Sequence, residues 1–245
     1  MRCDALSFDL DGTLIDYADS SLRALEAIGG HRSDLPRWYE VSAGVESALD
    51  RGLLPVEEFD HDRIRRFHAA CHGRRLSASE LDGLVAVRRS TVLGAVRLYP
   101  DAVRLLRSIE ALGVPCIAVS NSYAALRDDI VERLGLSAYF THVRFCGDGV
   151  HRKPAGEAFA EGLALLGDAL GTTAVRVVHI GDEFDADVVG ALNAGVRGVH
   201  VNRSGRTCAH TGVCVPSLDV PLERHADGSF LFDASTPARS ARSEP

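Results

Sequence analysis

The sequence predicts an α/β protein: a doubly wound parallel sheet whose chain is interrupted by an all-helical insert. From Tyr99 onward, short apolar runs alternate with amphipathic stretches of helical spacing, which is the pattern of βαβ units. Residues 17–96 place their apolar side chains at helical spacing and show no strand-like alternation. The apolar run 5–8, which precedes that insert, predicts one short buried strand of the same sheet.

We therefore expect a discontinuous α/β core over residues 1–16 and 97–232, a helical domain over 17–96, and a disordered tail over 233–245. After the insert, strands are predicted at 114–119, 139–145, 175–180 and 196–201, and helices at 101–112, 123–134, 154–166 and 187–194. In the insert, Ser77 and Glu80 have the spacing of a capping box and predict a helix start. No closing helix follows the last predicted strand.

Composition limits the function classes that fit this chain. Its net charge of -7 argues against a nucleic-acid-binding surface, which would be strongly basic. No apolar run approaches the ~20 residues that span a bilayer, and no signal peptide is evident, so we expect a cytoplasmic protein. The six cysteines include no CxxC pair. Cys208, His210 and Cys214 lie close in sequence but match no usual zinc spacing, so we favour a plain loop over a metal site.

Polar side chains follow the ends of four predicted strands or their loops. They are Asp9 and Asp11 before Gly12, Ser120-Asn121, Lys153-Pro154, and Gly181-Asp182 through Asp187. Because ligands bind outside the carboxyl ends of the strands in an open parallel sheet, we expect these groups to meet in one crevice. Two carboxylates as close as the first pair resist joint ionisation unless a cation lies between them.

These groups match the needs of phosphoryl transfer, which requires an in-line nucleophile, charge neutralisation and a proton for the leaving group. Asp9 would attack, Asp11 would protonate the departing alkoxide, and Ser120 would donate a hydrogen bond. Mg²⁺ prefers oxygen ligands, so Asp9 and Asp182 suit it. Lys153 would neutralise charge. It is the only lysine among the 27 basic residues.

The four motifs, in this order, resemble the haloacid dehalogenase superfamily of hydrolases, in particular its phosphatases, over residues 5–202. The resemblance implies a Rossmann-like core. It also implies that Asp9 becomes phosphorylated and that Asp11 is the general acid/base, with the backbone carbonyl of Asp11 completing a Mg²⁺ site. Thr13 resembles the threonine that supports the nucleophile loop, beside the substrate phosphate.

The later motifs carry over in the same way. Ser120 resembles the phosphate-binding serine or threonine after the second strand, and Asn121 resembles its common neighbour. Lys153 resembles the lysine that stabilises the phosphoryl group. Asp182 resembles the principal acidic metal ligand and Asp187 the second one.

The chain departs from the family pattern after Gly181. Glu183 stands where serine or threonine is common, which leaves Asp185 as a rival to Asp187 for the metal site. The position of the insert, between the first and second motifs, resembles the subclass whose helical cap closes over small-molecule substrates and excludes water.

The leading hypothesis is a Mg²⁺-dependent phosphatase that acts on a small phosphorylated metabolite through an aspartyl-phosphate. We expect a monomer or homodimer without a nucleic-acid or membrane partner. A phosphomutase is an alternative that the motifs leave open. A 2-haloacid dehalogenase is less favoured, because such relatives lack an aspartate equivalent to Asp11. A fold-retaining binding protein is disfavoured because every catalytic position holds a competent residue.

Overall fold

The computed structural model describes residues 1–149 and 151–235. The strands, in chain order, are β1 (Arg2–Cys3), β2 (Ala5–Phe8), β3 (Cys116–Ser120), β4 (His142–Phe145), β5 (Val177–Gly181), β6 (Arg197–Val201), β7 (Val213–Val215), β8 (Leu222–Arg224) and β9 (Phe230–Phe232). The α-helices are α1 (Tyr17–Ala27), α2 (Leu35–Asp50), α3 (Phe59–His72), α4 (Ala78–Ala95), α5 (Pro100–Leu112), α6 (Ala124–Arg133), α7 (Ala160–Leu170) and α8 (Gly190–Asn193). Of the tail expected over 233–245, residues 236–245 lie outside the described part of the chain.

Six strands form a parallel sheet in the order β4-β3-β2-β5-β6-β7. The central strand β2 pairs with β3 and β5, so that Phe8 lies opposite Ala118 on one side and Ile180 on the other. All residues of these three strands are buried, because a parallel sheet is covered by helices on both faces. The predicted doubly wound α/β core is confirmed.

The structure corrects two predicted helix starts. The helix predicted from residue 154 begins as a 3₁₀ turn at Gly156–Phe159, with Pro154 in the preceding turn. The helix predicted from Asp187 begins earlier, as a π-helix over Phe184–Val189 that continues into α8. Asp187 is therefore inside the helical segment, where its amide donates to the carbonyl of Glu183 at 2.7 Å. Local periodicity does not distinguish this wider turn from an α-helical one.

The C-terminal segment adds strands in place of a closing helix. β7 extends the main sheet next to β6. Phe230 and Leu231 pair antiparallel with Cys3 and Arg2, and β9 also pairs with β8, which makes a second, three-stranded sheet. The two ends of the described chain are thus joined by backbone hydrogen bonds.

The chain divides into two compact units: Met1–Asp16, Leu98–Ala124 and Leu134–Pro245 form the first, and Tyr17–Arg97 with Ala125–Arg133 form the second. The second unit is helical, and its core includes Trp38 packed edge-on against Phe67 with 5.4 Å between ring centroids. Unlike the predicted ranges, the structure groups Ala125–Arg133 with the helical unit. There Arg133 Nε donates to the carbonyl of Leu93 at 2.6 Å.

The core of the first unit lies against the sheet and includes Ile117, Val119, Phe159 and Leu166. Across residues 1–149 and 151–235, no helix combines the length and the apolar character that a membrane crossing requires.

Candidate active site

The turn after β2 places Asp9 at the carboxyl edge of the sheet. The Asp9 amide donates to the carbonyl of Ile180 at 2.9 Å, which ties this residue to the neighbouring strand β5. Gly12 has a φ of +85°, and a Cβ on it would lie 2.7 Å from Cγ of Asp182. Only glycine therefore fits this close approach. The Thr13 hydroxyl donates to Oδ1 of Asp182 at 3.1 Å, so the turn is bonded to the Asp182 side chain.

Lys153 joins two of the predicted motifs. Its Nζ lies 2.7 Å from Oδ1 of Asp9 and 2.6 Å from Oδ1 of Asp187, and its side chain is 2% exposed. Asn121 fixes the backbone of this lysine: its Nδ2 donates to the Lys153 carbonyl at 2.9 Å, and the Lys153 amide donates to its Oδ1 at 2.8 Å. The Asn121 amide group, predicted to bind phosphate, is thus bonded to the loop that carries the lysine.

Asp187 is held by two further groups, a histidine ring and a backbone amide. His179, a fully buried residue of β5, has its Nε2 at 3.2 Å from Oδ1 of Asp187 and its Nδ1 at 2.8 Å from the Ser7 hydroxyl. The Glu183 amide donates to Oδ2 of Asp187 at 2.9 Å. Burial lowers the pKa of His179 and favours the neutral ring. The tautomer that satisfies both contacts donates from Nε2 to Asp187 and accepts at Nδ1 from Ser7.

Carboxylate oxygens of Asp9, Asp182 and Asp187 all lie within 4.8 Å of one another. Burial raises the pKa of Asp9, and burial together with the Asp187 charge raises that of Asp182 to about 6. Burial would also raise the pKa of Asp187, but the hydrogen bond from His179 and the Lys153 charge hold it below its ordinary range. Burial would lower the pKa of Lys153, but Asp9 and Asp187 raise it.

This set of side chains fits a divalent cation with hard-ligand preference. Three carboxylates meet one ammonium, so the ionised cluster carries excess negative charge in a buried environment. Carboxyl groups this close resist joint ionisation, and a bound metal ion stabilises their ionised forms. Mg²⁺ is bound through carboxylate oxygens. Asp9, Asp182 and Asp187 could therefore hold it. Asp185, the predicted rival of Asp187, is exposed, whereas Asp187 is 1% exposed.

Ser120 and Asp11 complete the predicted set. Ser120 is the last residue of β3 and is buried; its Oγ accepts from the Ser122 amide at 3.2 Å, and its hydroxyl keeps one hydrogen for donation. Because β3 neighbours β2, Ser120 leaves the sheet at the same edge as Asp9. Asp11 is half-buried in the turn that follows Asp9, and its backbone bridges to Ile15.

Two residues of this site were missed from the sequence. One is His179, and the other is Arg203, whose Nε and Nη2 donate to the carbonyls of Gly12 and Thr13 at 3.1 and 2.7 Å. Nη1 of Arg203 donates to Asp101 at 2.7 Å. Arg203 therefore fixes the backbone of the turn after Asp9. The available signals were a histidine inside an otherwise apolar strand and an arginine two residues beyond a strand end.

Comparison with known proteins places the chain in a family. The model of haloacid dehalogenase-like hydrolases matches residues 3–195. Phosphoglycolate phosphatase of Caulobacter vibrioides is 28% identical over 206 residues, which cover 80% of this chain and 78% of that protein. Glyceraldehyde 3-phosphate phosphatase of Methanopyrus kandleri is 26% identical, with 81% and 84% covered, and ribulose-1,5-bisphosphate 5-phosphatase of Halopiger xanaduensis is 26% identical, with 92% and 94% covered.

Solved structures share the fold. The HAD-hydrolase YfnB from Bacillus subtilis, bound to magnesium, superposes with a TM-score of 0.70 at 18% identity, covering 89% of this chain and 96% of that one. The L-2-haloacid dehalogenase RSc1362 gives a TM-score of 0.65 at 21% identity, with 89% and 96% covered. The chain therefore belongs to the haloacid dehalogenase-like hydrolases, and it is a phosphatase-type member with a helical segment inserted between its first and second motifs.

Proposed function

We propose that the protein is a Mg²⁺-dependent phosphatase that hydrolyses a small phosphorylated metabolite through an aspartyl-phosphate on Asp9. The observation that carries this proposal is the buried contact of Lys153 with both Asp9 and Asp187, beside Asp182. A nucleophilic carboxylate needs positive charge around it, both to stay ionised and to approach an anionic phosphate. Lys153 supplies one such charge within hydrogen-bond distance.

In the first half-reaction, an oxygen of Asp9 attacks the phosphorus of the ester. The new Asp9–phosphorus bond forms as the bond to the ester oxygen breaks, and that oxygen takes a proton from Asp11. Lys153 and the Ser120 hydroxyl donate to the transferring group, whose charge is spread over its equatorial oxygens. Arg203 keeps the Asp9 turn in place through the carbonyls of Gly12 and Thr13.

In the second half-reaction, water attacks the phosphorus of the aspartyl-phosphate and gives its proton to Asp11. The bond to Asp9 breaks, which restores both carboxyl groups and releases inorganic phosphate. When bound by Asp9, Asp182, Asp187 and the Asp11 carbonyl, Mg²⁺ would supply Lewis-acid neutralisation of the phosphoryl charge. His179 orients Asp187 for that role through their 3.2 Å contact.

The relatives support a proposal for the substrate class, because their names include phosphoglycolate, glyceraldehyde 3-phosphate and ribulose-1,5-bisphosphate phosphatases. We infer a small phosphomonoester of an acid or sugar. A phosphomutase would use the same phosphoryl transfer and would return the group to its substrate in place of giving it to water. A dehalogenase would not use Asp11 as a proton donor.

The test is phosphate release from a panel of small phosphomonoesters with Mg²⁺. We expect turnover by the native chain and a loss of at least ~1000-fold in Asp9→Asn, because the amide is not a nucleophile. Asp168→Asn, the same change at an exposed position of α7, is the matched control and should retain activity. Intact-protein mass spectrometry after acid quench should find one phosphoryl group on the native chain and none on Asp9→Asn.

Three results would overturn the proposal. Full activity in Asp9→Asn would show that Asp9 is not the nucleophile. Conversion of a sugar phosphate to its isomer without phosphate release would identify a phosphomutase, and halide release from a 2-haloacid without phosphatase activity would identify a dehalogenase.

A further inference from the structure

A second cluster of side chains that could hold a metal spans β6, the following loop and β7. One donor atom each from His200, Cys208, His210 and Cys214 lies within 4.8 Å of the others. None of these residues belongs to the carboxylate site. The sequence drew attention to Cys208, His210 and Cys214, and the fold adds His200, the fourth residue of β6.

We propose that His200, Cys208, His210 and Cys214 bind one zinc ion in a tetrahedral Cys₂His₂ site that holds the 202–214 loop together. In such a site, zinc lies about 2.3 Å from sulfur and about 2.0 Å from nitrogen, so a sulfur and a nitrogen ligand are about 3.5 Å apart. Nδ1 of His200 lies 3.7 Å from Sγ of Cys208 and 3.9 Å from Sγ of Cys214. Two of the tetrahedron's edges are therefore near their metal-bound length.

Two groups next to the cluster form hydrogen bonds that orient its donor atoms, as the outer neighbours of metal ligands commonly do. Nε2 of His200 lies 3.0 Å from the carbonyl of Asp182 and donates to it, which leaves the lone pair of Nδ1 directed at the cluster. Nδ2 of Asn202 donates to Sγ of Cys208 at 3.3 Å, a contact that favours a thiolate.

The 202–214 segment buries little side-chain surface, and its cross-links in the structure include the hydrogen bonds of Arg203 and the Cys208–Cys214 disulfide. Every residue from 202 to 214 is exposed or half-buried, and no helix or strand forms between β6 and β7. A segment that buries so little apolar surface is held by cross-links where it is ordered. Zinc binding by side chains of β6, this loop and β7 would replace the disulfide as the cross-link of the segment.

Zinc binding requires two changes: reduction of a disulfide and movement of a proton between the nitrogens of a histidine ring. Cys208 and Cys214 are joined as a disulfide in the structure. A dithiol reductant gives this bond two electrons and two protons, is itself oxidised to a disulfide, and leaves two thiols whose protons go to solvent as zinc binds. His210 accepts from the Gly212 amide at Nδ1 and faces His200 through Nε2 at 2.7 Å. Its proton must move to Nδ1, so the Gly212 amide must turn away.

Thiolates and imidazoles select zinc, whereas the three carboxylates of the active site suit Mg²⁺, so the two sites prefer different metals. They are nevertheless connected in the structure. Phe184, which begins the π-helix carrying Asp187, stacks on the His210 ring with 3.9 Å between centroids. Arg203, which holds the turn after Asp9, lies in the same loop. Zinc would therefore fix the loop from which Arg203 reaches that turn.

The experiment purifies the full chain in reductant and measures zinc by elemental analysis. We expect about one zinc per native chain and less than ~0.1 in the double variant Cys208→Ser/Cys214→Ser. Cys71→Ser removes a free half-buried thiol of α3 and should keep full zinc content. Asp9→Asn should also keep it, so failure of the proposed phosphatase mechanism would leave this result untouched.

A second measurement covers the case in which the double variant does not fold. Titration of reduced, metal-free native protein with Co²⁺ should give thiolate-to-cobalt charge-transfer bands that saturate at about one equivalent and disappear when zinc is added. The absence of those bands would overturn the proposal. So would thiol counting that finds Cys208 and Cys214 still oxidised after reduction under native conditions, or a Cys208→Ser/Cys214→Ser variant that folds and binds zinc like the native chain.

Discussion

Nζ of Lys153 lies 2.6 Å from Oδ1 of Asp187, in a contact where both side chains are at most 2% exposed. The same ammonium is 2.7 Å from Asp9, so one lysine bonds the predicted nucleophile and a predicted metal ligand at once. This contact gives a physical reason for a lysine at position 153 in a chain whose other basic residues are arginine. A compact ammonium fits between two carboxylates, whereas a planar guanidinium is larger and fork-shaped.

Lys153→Arg should therefore lose activity although it keeps the charge. We expect kcat/KM for phosphate release to fall by at least ~100-fold, because the guanidinium cannot take the position of Nζ between Asp9 and Asp187. Steady-state kinetics with a generic phosphate ester measures this, and circular dichroism checks the fold. Activity within about threefold of the native enzyme would show that charge alone suffices there.

Asp187 and Asp185 provide a matched pair on one π-helix. Asp187→Asn should raise the Mg²⁺ concentration for half-maximal activity by at least ~10-fold, because an amide is a weaker and neutral ligand. Asp185 is exposed, and Asp185→Asn should change that concentration by less than about threefold. Mg²⁺ titrations of activity compare the two variants. The reverse order of effects would assign the metal site to Asp185.

Arg203→Ala should destabilise the protein and slow the reaction. It removes the donors to the Gly12 and Thr13 carbonyls and leaves Asp101, which is 5% exposed, without its cationic partner. Loss of such a partner costs about 1–3 kcal/mol, which denaturant unfolding would detect. Arg206→Ala, at an exposed position of the same loop, is the control. Equal unfolding free energies for the two variants would contradict this role of Arg203.

The stabilisation by Mg²⁺ should increase with pH. Burial and the Asp187 charge raise the pKa of Asp182 from 3.8 to about 6 in the folded, metal-free protein. The folded state then binds the extra proton, so this contribution to stability is present below about pH 4 and is lost as pH rises through about 6. Mg²⁺ binds the ionised carboxylate, so its apparent affinity rises up to ~10-fold per pH unit over that range.

Thermal unfolding with and without added Mg²⁺, in the absence of a chelator, measures this dependence. The increase in Tm on adding Mg²⁺ should be clearly larger near pH 7 than near pH 5. Zinc held constant in both samples keeps the cysteine–histidine cluster loaded and isolates the carboxylate site. An equal increase at both pH values would mean that Asp182 is ionised throughout.

The sequence by itself determined the parallel core and four motifs at strand ends. Those predictions rest on short-range physics: the apolar run at Ala5–Phe8 favours burial on both faces, and the aspartates and glycine that follow it favour a turn. The helical insert followed from periodicity alone. Each motif is a local pattern that can be recognised in the sequence, and the order of the four motifs indicated the family.

Only the tertiary structure decided which partners these motifs have. The contact of Arg203 with Gly12 joins residues 191 positions apart, and Asn121 bonds a lysine 32 positions away. The contribution of His200 to the cysteine cluster depends on the pairing of β6 with β5 and β7. Such contacts follow from strand order and register, which local periodicity does not specify. Side chains that hold the site from distant segments were therefore visible only once the sheet was assembled.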